Sequence, residues 1–200
     1  RYVTDGGFAD FMDTVEYEPG DSLKVWDRSS GTFRTAILAE FEPHQRDRVA
    51  AFMPGGLYAN LLAERQVILQ LGENVFVHGG VLPEHVAYGI DEINSSAQAW
   101  LRGEADLPSV LSGSDSPQWT RLYSDDPDSS ACSVLEEALN ALEAKRIVMG
   151  HTIQESGIAS ACGGQAWRVD IGMAEYYASR TEYGGSVAVL EIVGDSVRVL

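Results

Sequence analysis

Two histidines arrive in the same manner, each behind an apolar run and beside glycine. His78 closes "NVFVHGG" and His151 closes "RIVMGHT". Neutral imidazole is a common donor to first-row metals. In open α/β sheets, ligands bind beyond the carboxyl ends of the strands. Gly79, Gly80 and Gly150 are read as letting the backbone turn sharply while leaving room for an ion or a phosphate. His78 and His151 are therefore candidate metal ligands. Each taken alone is equally a hydrogen-bonded residue at a loop entrance. Two donors also do not complete a site, since zinc takes at least three protein ligands and harder ions take more.

Other residues with chemical potential carry plainer readings. Trp119, in "SPQWTRLYS", reads as core in preference to a residue shaping a groove. His85, in "PEHVAYG", reads as a surface or capping residue at a helix start, and His44, in "EPHQRDR", as solvent-exposed. Asp170 in "RVDIGM" fits a turn or strand-end hydrogen bond as well as a cleft and stays outside the metal set. Tyr176 and Tyr177 fit a groove or simple packing. "DDPDSS" reads as a solvated loop ending in a helix cap. The "PGG" at 54–56 lacks the lysine-bearing pattern of a phosphate loop. Cys132 and Cys162 lack CxxC spacing and read as buried small residues of a chain kept in a reducing, intracellular compartment.

Strands and helices must bring these residues together. "QVILQLG" and "NVFVHGG" read as adjacent strands joined by a Gly-Glu turn. "RIVMGHT" is a further strand, followed by "GIAS" and "AWRVDIG". "SVAVLEIVGDSVRVL" reads as a hairpin turning at Gly194-Asp195. Helical spacing marks "EPHQRDRVAAF" and "LYANLLAER", broken at "MPGG". It also marks "IDEINSSAQAWLRG", with Ile90, Ile93, Ala97, Trp100 and Leu101 on one face and Gly103 as the stop. "SVLEEALNALEAKR" is another amphipathic helix. The first 35 residues, "GDSLKVWDRSSGTFRT" among them, read as loop-rich with a short helix in "FADFMDTV". Helices between strands in the middle, and successive strands at the end, predict a layered α/β domain with a mostly β C-terminal part.

The bulk properties narrow the function classes. Two hundred residues suffice for one domain with a core, and 44% apolar with 22% charged residues is ordinary for a soluble globular chain. A net charge of −16, spread along the whole chain, argues against nucleic acid as partner. No apolar stretch approaches the roughly 20 residues of a spanning helix, and no leader of signal-peptide type is present. The chain opens on Arg1 rather than Met.

"FVHGGVLPEHVAYGIDEIN" and "IVMGHTIQ" resemble the third and fourth metal-binding blocks of the PPP-type metallophosphatases, in the calcineurin-like phosphoesterase superfamily. The similarity is strongest to the bacterial-like branch called Shewanella-like phosphatases. "RYVT", "FMPGGLYANLLAE", "PQWTRLYS" and "AWRVDIGM" resemble stretches of that branch in the same order. The resemblance implies a β-sandwich flanked by helices and a two-metal centre of manganese, iron or zinc. It implies that His78 and His151 bind the second metal and that Arg121 grips the substrate phosphate. A guanidinium suits that role because its planar fork matches phosphate oxygens and stays charged; otherwise Arg121 is a surface residue in an acidic loop.

Ile153 stands where relatives outside the PPP group have a second histidine. The implied reaction is phosphomonoester hydrolysis by in-line attack, on phosphoproteins or small phosphomonoesters. The blocks "GDxHG", "GDxxDRG" and "GNHE" are absent. The chain thus reads as a fragment, with residues 1–200 the C-terminal two-thirds of a single metallophosphatase domain lacking its N-terminal strands. Such a fragment is expected to be inactive alone, to expose a sheet edge or an apolar face, and to self-associate. The alternative is a pseudophosphatase binding module that never had activity.

Overall fold

The computed structural model describes every residue except 1, 2, 4, 28, 31 and 183. The chain divides into two compact units, Arg1–Arg65 with Ser96–Asp106, and Gln66–Ser95 with Leu107–Leu200.

The first unit holds helices α1 (Asp5–Ala9), α2 (Pro43–Phe52) and α3 (Leu57–Leu62), and a hairpin of β1 (Ser22–Asp27) and β2 (Thr32–Ile37). That hairpin corrects the loop reading of the first 35 residues, because cross-strand pairing supplies order that turn-rich local sequence does not. α2 stops at Met53, and the "PGG" turn brings α3 back against it. A Cβ on Gly56 would lie 2.2 Å from the Ala50 carbonyl, so the turn admits no side chain there. Ala50, Ala51, Ala59 and Ala63 are buried, and their small volume lets the backbones approach. Phe11, Phe52 and Tyr58 pack ring against ring at 5.2–5.5 Å, with the Arg48 guanidinium over Phe11 and Phe52.

The second unit is built on one five-stranded sheet in the order β3-β4-β5-β7-β6. β3 (Ile68–Leu71) and β4 (Asn74–Val77) form the expected hairpin, turning at Gly72-Glu73 with Gly72 at φ +58°. β5 (Arg146–Met149) runs parallel to β4, and β7 (Ala166–Arg168) parallel to β5; β6 (Ala159–Ala161) is antiparallel to β7. The parallel crossover from β4 to β5 carries α4 (Pro83–Tyr88), α5 (Ile90–Leu101) and α6 (Ser129–Ala141). Val75, Val77, Ile147 and Met149 of the sheet, with Leu135 and Leu139 of α6, form the core, each worth roughly 1.5–3 kcal/mol of burial. Asp128 caps α6 as expected, its Oδ1 accepting from the N–H groups of Ser130 and Ala131. The C-terminal residues form the separate hairpin β8 (Leu190–Val193) and β9 (Ser196–Val199), whose turn residue Asp195 pairs with Lys145. The mixed sheet flanked by helices agrees with the α/β expectation.

Two features had no counterpart in the sequence reading. The backbone at the start of β3 is bonded by a side chain, while the rest of the strand is exposed. Asn94 of α5, only 6% exposed, accepts from the N–H groups of Val67 and Ile68 and donates to the Ile68 carbonyl. A side-chain amide thus satisfies the backbone at the entry to β3. Cys132 and Cys162 are joined as a disulfide rather than standing as isolated thiols, linking α6 to the turn after β6 across 30 residues.

Candidate metal centre

The sheet's register brings the two histidines together. Val77 is opposite Met149 on the parallel neighbours β4 and β5, so both chains leave the sheet at one level. Gly150 N–H then donates to the His78 carbonyl at 3.0 Å. The rings lie 4.9 Å apart between centroids, with His78 Nε2 and His151 Nδ1 separated by 3.1 Å. Two nitrogens bound to one ion at about 2.0–2.1 Å, with angles between square and tetrahedral, would be about 2.9–3.4 Å apart. The observed spacing fits a shared cation, and equally a hydrogen bond when one nitrogen carries a proton.

The backbone at His151 is strained. Its φ is +68°, and Thr152 N–H donates to the Gly150 carbonyl at 2.8 Å, closing a three-residue turn around it. A non-glycine residue there costs of order 1–3 kcal/mol and is over-represented at functional sites. The turn aims the imidazole back toward His78.

His151 has its pKa lowered first by burial, then by the Arg121 guanidinium and by His78; backbone at Trp119 and the Asp170 carboxylate oppose this. The ring is therefore biased toward the neutral form that a metal requires. Its Nε2 is buried and has no hydrogen-bond partner among the described residues. These two rings fit a metal as a pair. Among the described residues, however, there is no group of three or more His, Cys, Asp or Glu side chains able to hold one. Asp170 commits one carboxylate oxygen to the Gly172 N–H.

The loop from 116 to 128 lies over this turn. Arg121 donates through Nη1 to the His151 carbonyl at 3.2 Å and to Thr152 Oγ1 at 2.7 Å. Thr152 shares a 2.7 Å hydrogen bond with Ser124, and Gln154 donates to the carbonyls of both. The Tyr123 hydroxyl, fully buried, donates to the Val81 carbonyl, and burial pushes its pKa well up.

The two glycines after His78 serve this loop rather than an ion. Neither has positive φ. Both donate to the Pro117 carbonyl, at 2.8 and 3.0 Å. A Cβ on Gly79 would stand 2.9 Å from backbone atoms of Pro117, Gln118 and Thr120, and one on Gly80 would meet Thr120 and Tyr123. A Cβ on Gly150 would meet only ordinary contacts, at 3.8 Å or more.

Two side chains sit otherwise than expected. Trp119 is 60% exposed, its indole edge-on to the His151 ring at 5.3 Å, and is not core. His85 does cap, Nδ1 accepting from Leu82 N–H, but it is buried at 3% exposure. His44 is exposed, as expected. Thr152, Ser124 and Gln154 had no signal of their own in the sequence beyond the short polar run after "GH".

No family model matches the chain. It is 38% identical over 162 residues to Shewanella-like protein phosphatase 2 of Arabidopsis thaliana, covering 78% of this chain and 40% of that protein. This chain is similar to a Shewanella-like phosphatase over that span. It is also 29% identical over 160 residues to an uncharacterised protein of Schizosaccharomyces pombe, covering 76% of this chain and 46% of that one. The chain thus spans less than half the length of the curated proteins it matches.

Solved structures of a cold-active protein-tyrosine phosphatase, one from a psychrophilic Shewanella species, share 23% identity with it. They cover 55% and 64% of this chain and 35% and 42% of theirs, with TM-scores of 0.48 and 0.49. Of the blocks resembling Shewanella-like phosphatases, "RYVT" lies outside the described residues apart from Val3. No helix of the described residues is long and apolar enough to cross a membrane.

Proposed function

We propose that this chain is the C-terminal two-thirds of a metallophosphatase domain of PPP type. It supplies the second-metal ligands and the phosphate grip of a phosphomonoester hydrolase acting on phosphoproteins or small phosphomonoesters. One geometry carries the reading: two imidazole nitrogens 3.1 Å apart at the ends of adjacent parallel strands, with the Arg121 guanidinium bonded to the same turn. His78 and His151 would hold a divalent cation, manganese, iron or zinc, through the facing ring nitrogens. Such an ion, when bound, neutralises phosphoryl oxygens and lowers the pKa of a water. Arg121 holds the phosphate beside it, and Trp119 shelters one side of the His151 ring.

A second reading concerns these 200 residues alone: they are catalytically silent. It is favoured by the lack, among the described residues, of a third ligand grouped with the histidines. Calorimetric titration with Mn²⁺ and Zn²⁺, together with p-nitrophenyl phosphate turnover, tests both readings. Weak metal binding that disappears in His78→Ala and His151→Ala, without hydrolysis, is expected. Robust turnover lost on His78→Ala would overturn the silence. Metal affinity unchanged by both substitutions, or absent from the unaltered chain, would overturn the metal reading and leave a pseudophosphatase binding module.

A further inference from the structure

A phosphate-gripping arginine on a surface loop must present the right edge of its guanidinium. Arg121 is exposed and forms no ion pair among the described residues. What orients it is a pair of hydrogen bonds from a single nitrogen. Nη1 spends one N–H on the His151 carbonyl and the other on Thr152 Oγ1, the shorter contact at 2.7 Å. Neither Nε nor Nη2 has a hydrogen-bond partner among the described residues. Those two nitrogens form the parallel N–H pair that matches two oxygens of a phosphate. Sequestering Nη1 therefore leaves the useful edge without a partner among the described residues.

The acceptor is itself held. Thr152 Oγ1 lies 2.7 Å from the Ser124 hydroxyl, which is 1% exposed, and the Thr152 carbonyl takes the Gln154 amide at 2.8 Å. The same Gln154 amide also reaches the Ser124 carbonyl, joining the loop that bears Arg121 to the turn that bears Thr152. Thr152 is the residue after His151, and its N–H closes the strained turn. The metal-site imidazole and the phosphate arm are thereby set by one three-residue piece of backbone.

We propose that Thr152 is a positioning residue for phosphate recognition: its hydroxyl fixes the Arg121 guanidinium with the Nε/Nη2 edge free for two oxygens of a phosphomonoester. This rests on the reading of Arg121 as the phosphate grip. Loss of an orienting hydrogen bond to a charged group should weaken phosphate binding about five- to tenfold. A threonine that merely supported the fold would lower the melting temperature and leave affinity per folded molecule alone.

The experiment titrates inorganic phosphate into the 200-residue chain, following ³¹P line width and the Arg121 Nε–H resonance. The expected result is weaker binding per folded molecule and a more mobile Nε–H in Thr152→Val, beyond the modest fall in melt from leaving the Ser124 hydroxyl without its partner, and near-parental binding and melt in Thr152→Ser. Should Thr152→Val disturb folding, Thr152→Ala carries the same comparison. Parental affinity and Nε–H mobility in the hydroxyl-less variants, with binding lost in Arg121→Ala, would overturn the role of Thr152 and leave the phosphate reading standing. Parental binding in Arg121→Ala, or no saturable binding by the unaltered chain, would overturn the phosphate reading itself.

Discussion

Alanine at position 79 separates two accounts of the "HGG" turn. If the glycines leave room for an ion, one extra methyl beside His78 crowds the ion and spares the fold. The contacts say otherwise. The added Cβ would sit 2.9 Å from three backbone atoms of the 117–120 segment, about half an ångström inside ordinary contact. No flexible side-chain end can yield there, so the loop must retreat. Overpacking of this kind costs about 1–3 kcal/mol. Retreat also stretches the two bonds to the Pro117 carbonyl, adding up to about 1 kcal/mol each. The total of roughly 1–5 kcal/mol corresponds to a fall of about 2–20 °C in Tm for a chain of this size. Gly150→Ala, whose new Cβ meets nothing closer than 3.8 Å, should melt within about 0.5 kcal/mol of the parent. Differential scanning calorimetry of both variants decides. A Gly79→Ala chain melting with the parent, or a Gly150→Ala chain melting far below it, would refute the loop-contact account.

Three other perturbations have defined outcomes. Asn94→Ala strands two N–H groups and a carbonyl at the flank of β3, and a loss of about 2–4 kcal/mol is expected in urea unfolding. Reduction, or Cys132→Ser, opens a loop of 30 residues and should remove about 3–4 kcal/mol, read as a lower melt with than without dithiothreitol. Burial lowers the pKa of His85 from its usual 6.5; the unfolded chain therefore binds the proton more readily, and stability falls as pH drops below about 6.5. Tm followed from pH 7.5 to 5 should show that decline, and His85→Gln should flatten part of it.

Where local pattern and final structure agree, the pattern was strong. The β3–β4 hairpin, β5, α6 and the C-terminal hairpin are long apolar periods between good turn residues, and parallel pairing of β4 with β5 follows from the helices between them. The meeting of His78 with His151 depended on that pairing. What escaped depended on distant partners. β1 and β2 have little periodicity of their own and gain order from each other. Asn94 interrupts an apolar stripe and looks like a surface position until the Ile68 backbone is placed beside it. Trp119 reads as core by residue type, yet its loop carries it to the His151 rim. The glycines at 79 and 80 look like freedom to turn, whereas their function is to have no side chain where another loop passes.

The bond between Cys132 and Cys162 makes a covalent ring of the chain, and that ring contains β5, His151 and Thr152. A protease that cuts once inside it, at the exposed 155–156 positions for example, releases nothing: the nicked molecule keeps its mass, plus one water, until a reductant separates the pieces. The disulfide keeps residues 1–155 and 156–200 joined, so a cleaved preparation would migrate as intact on a non-reducing gel and split only on a reducing one.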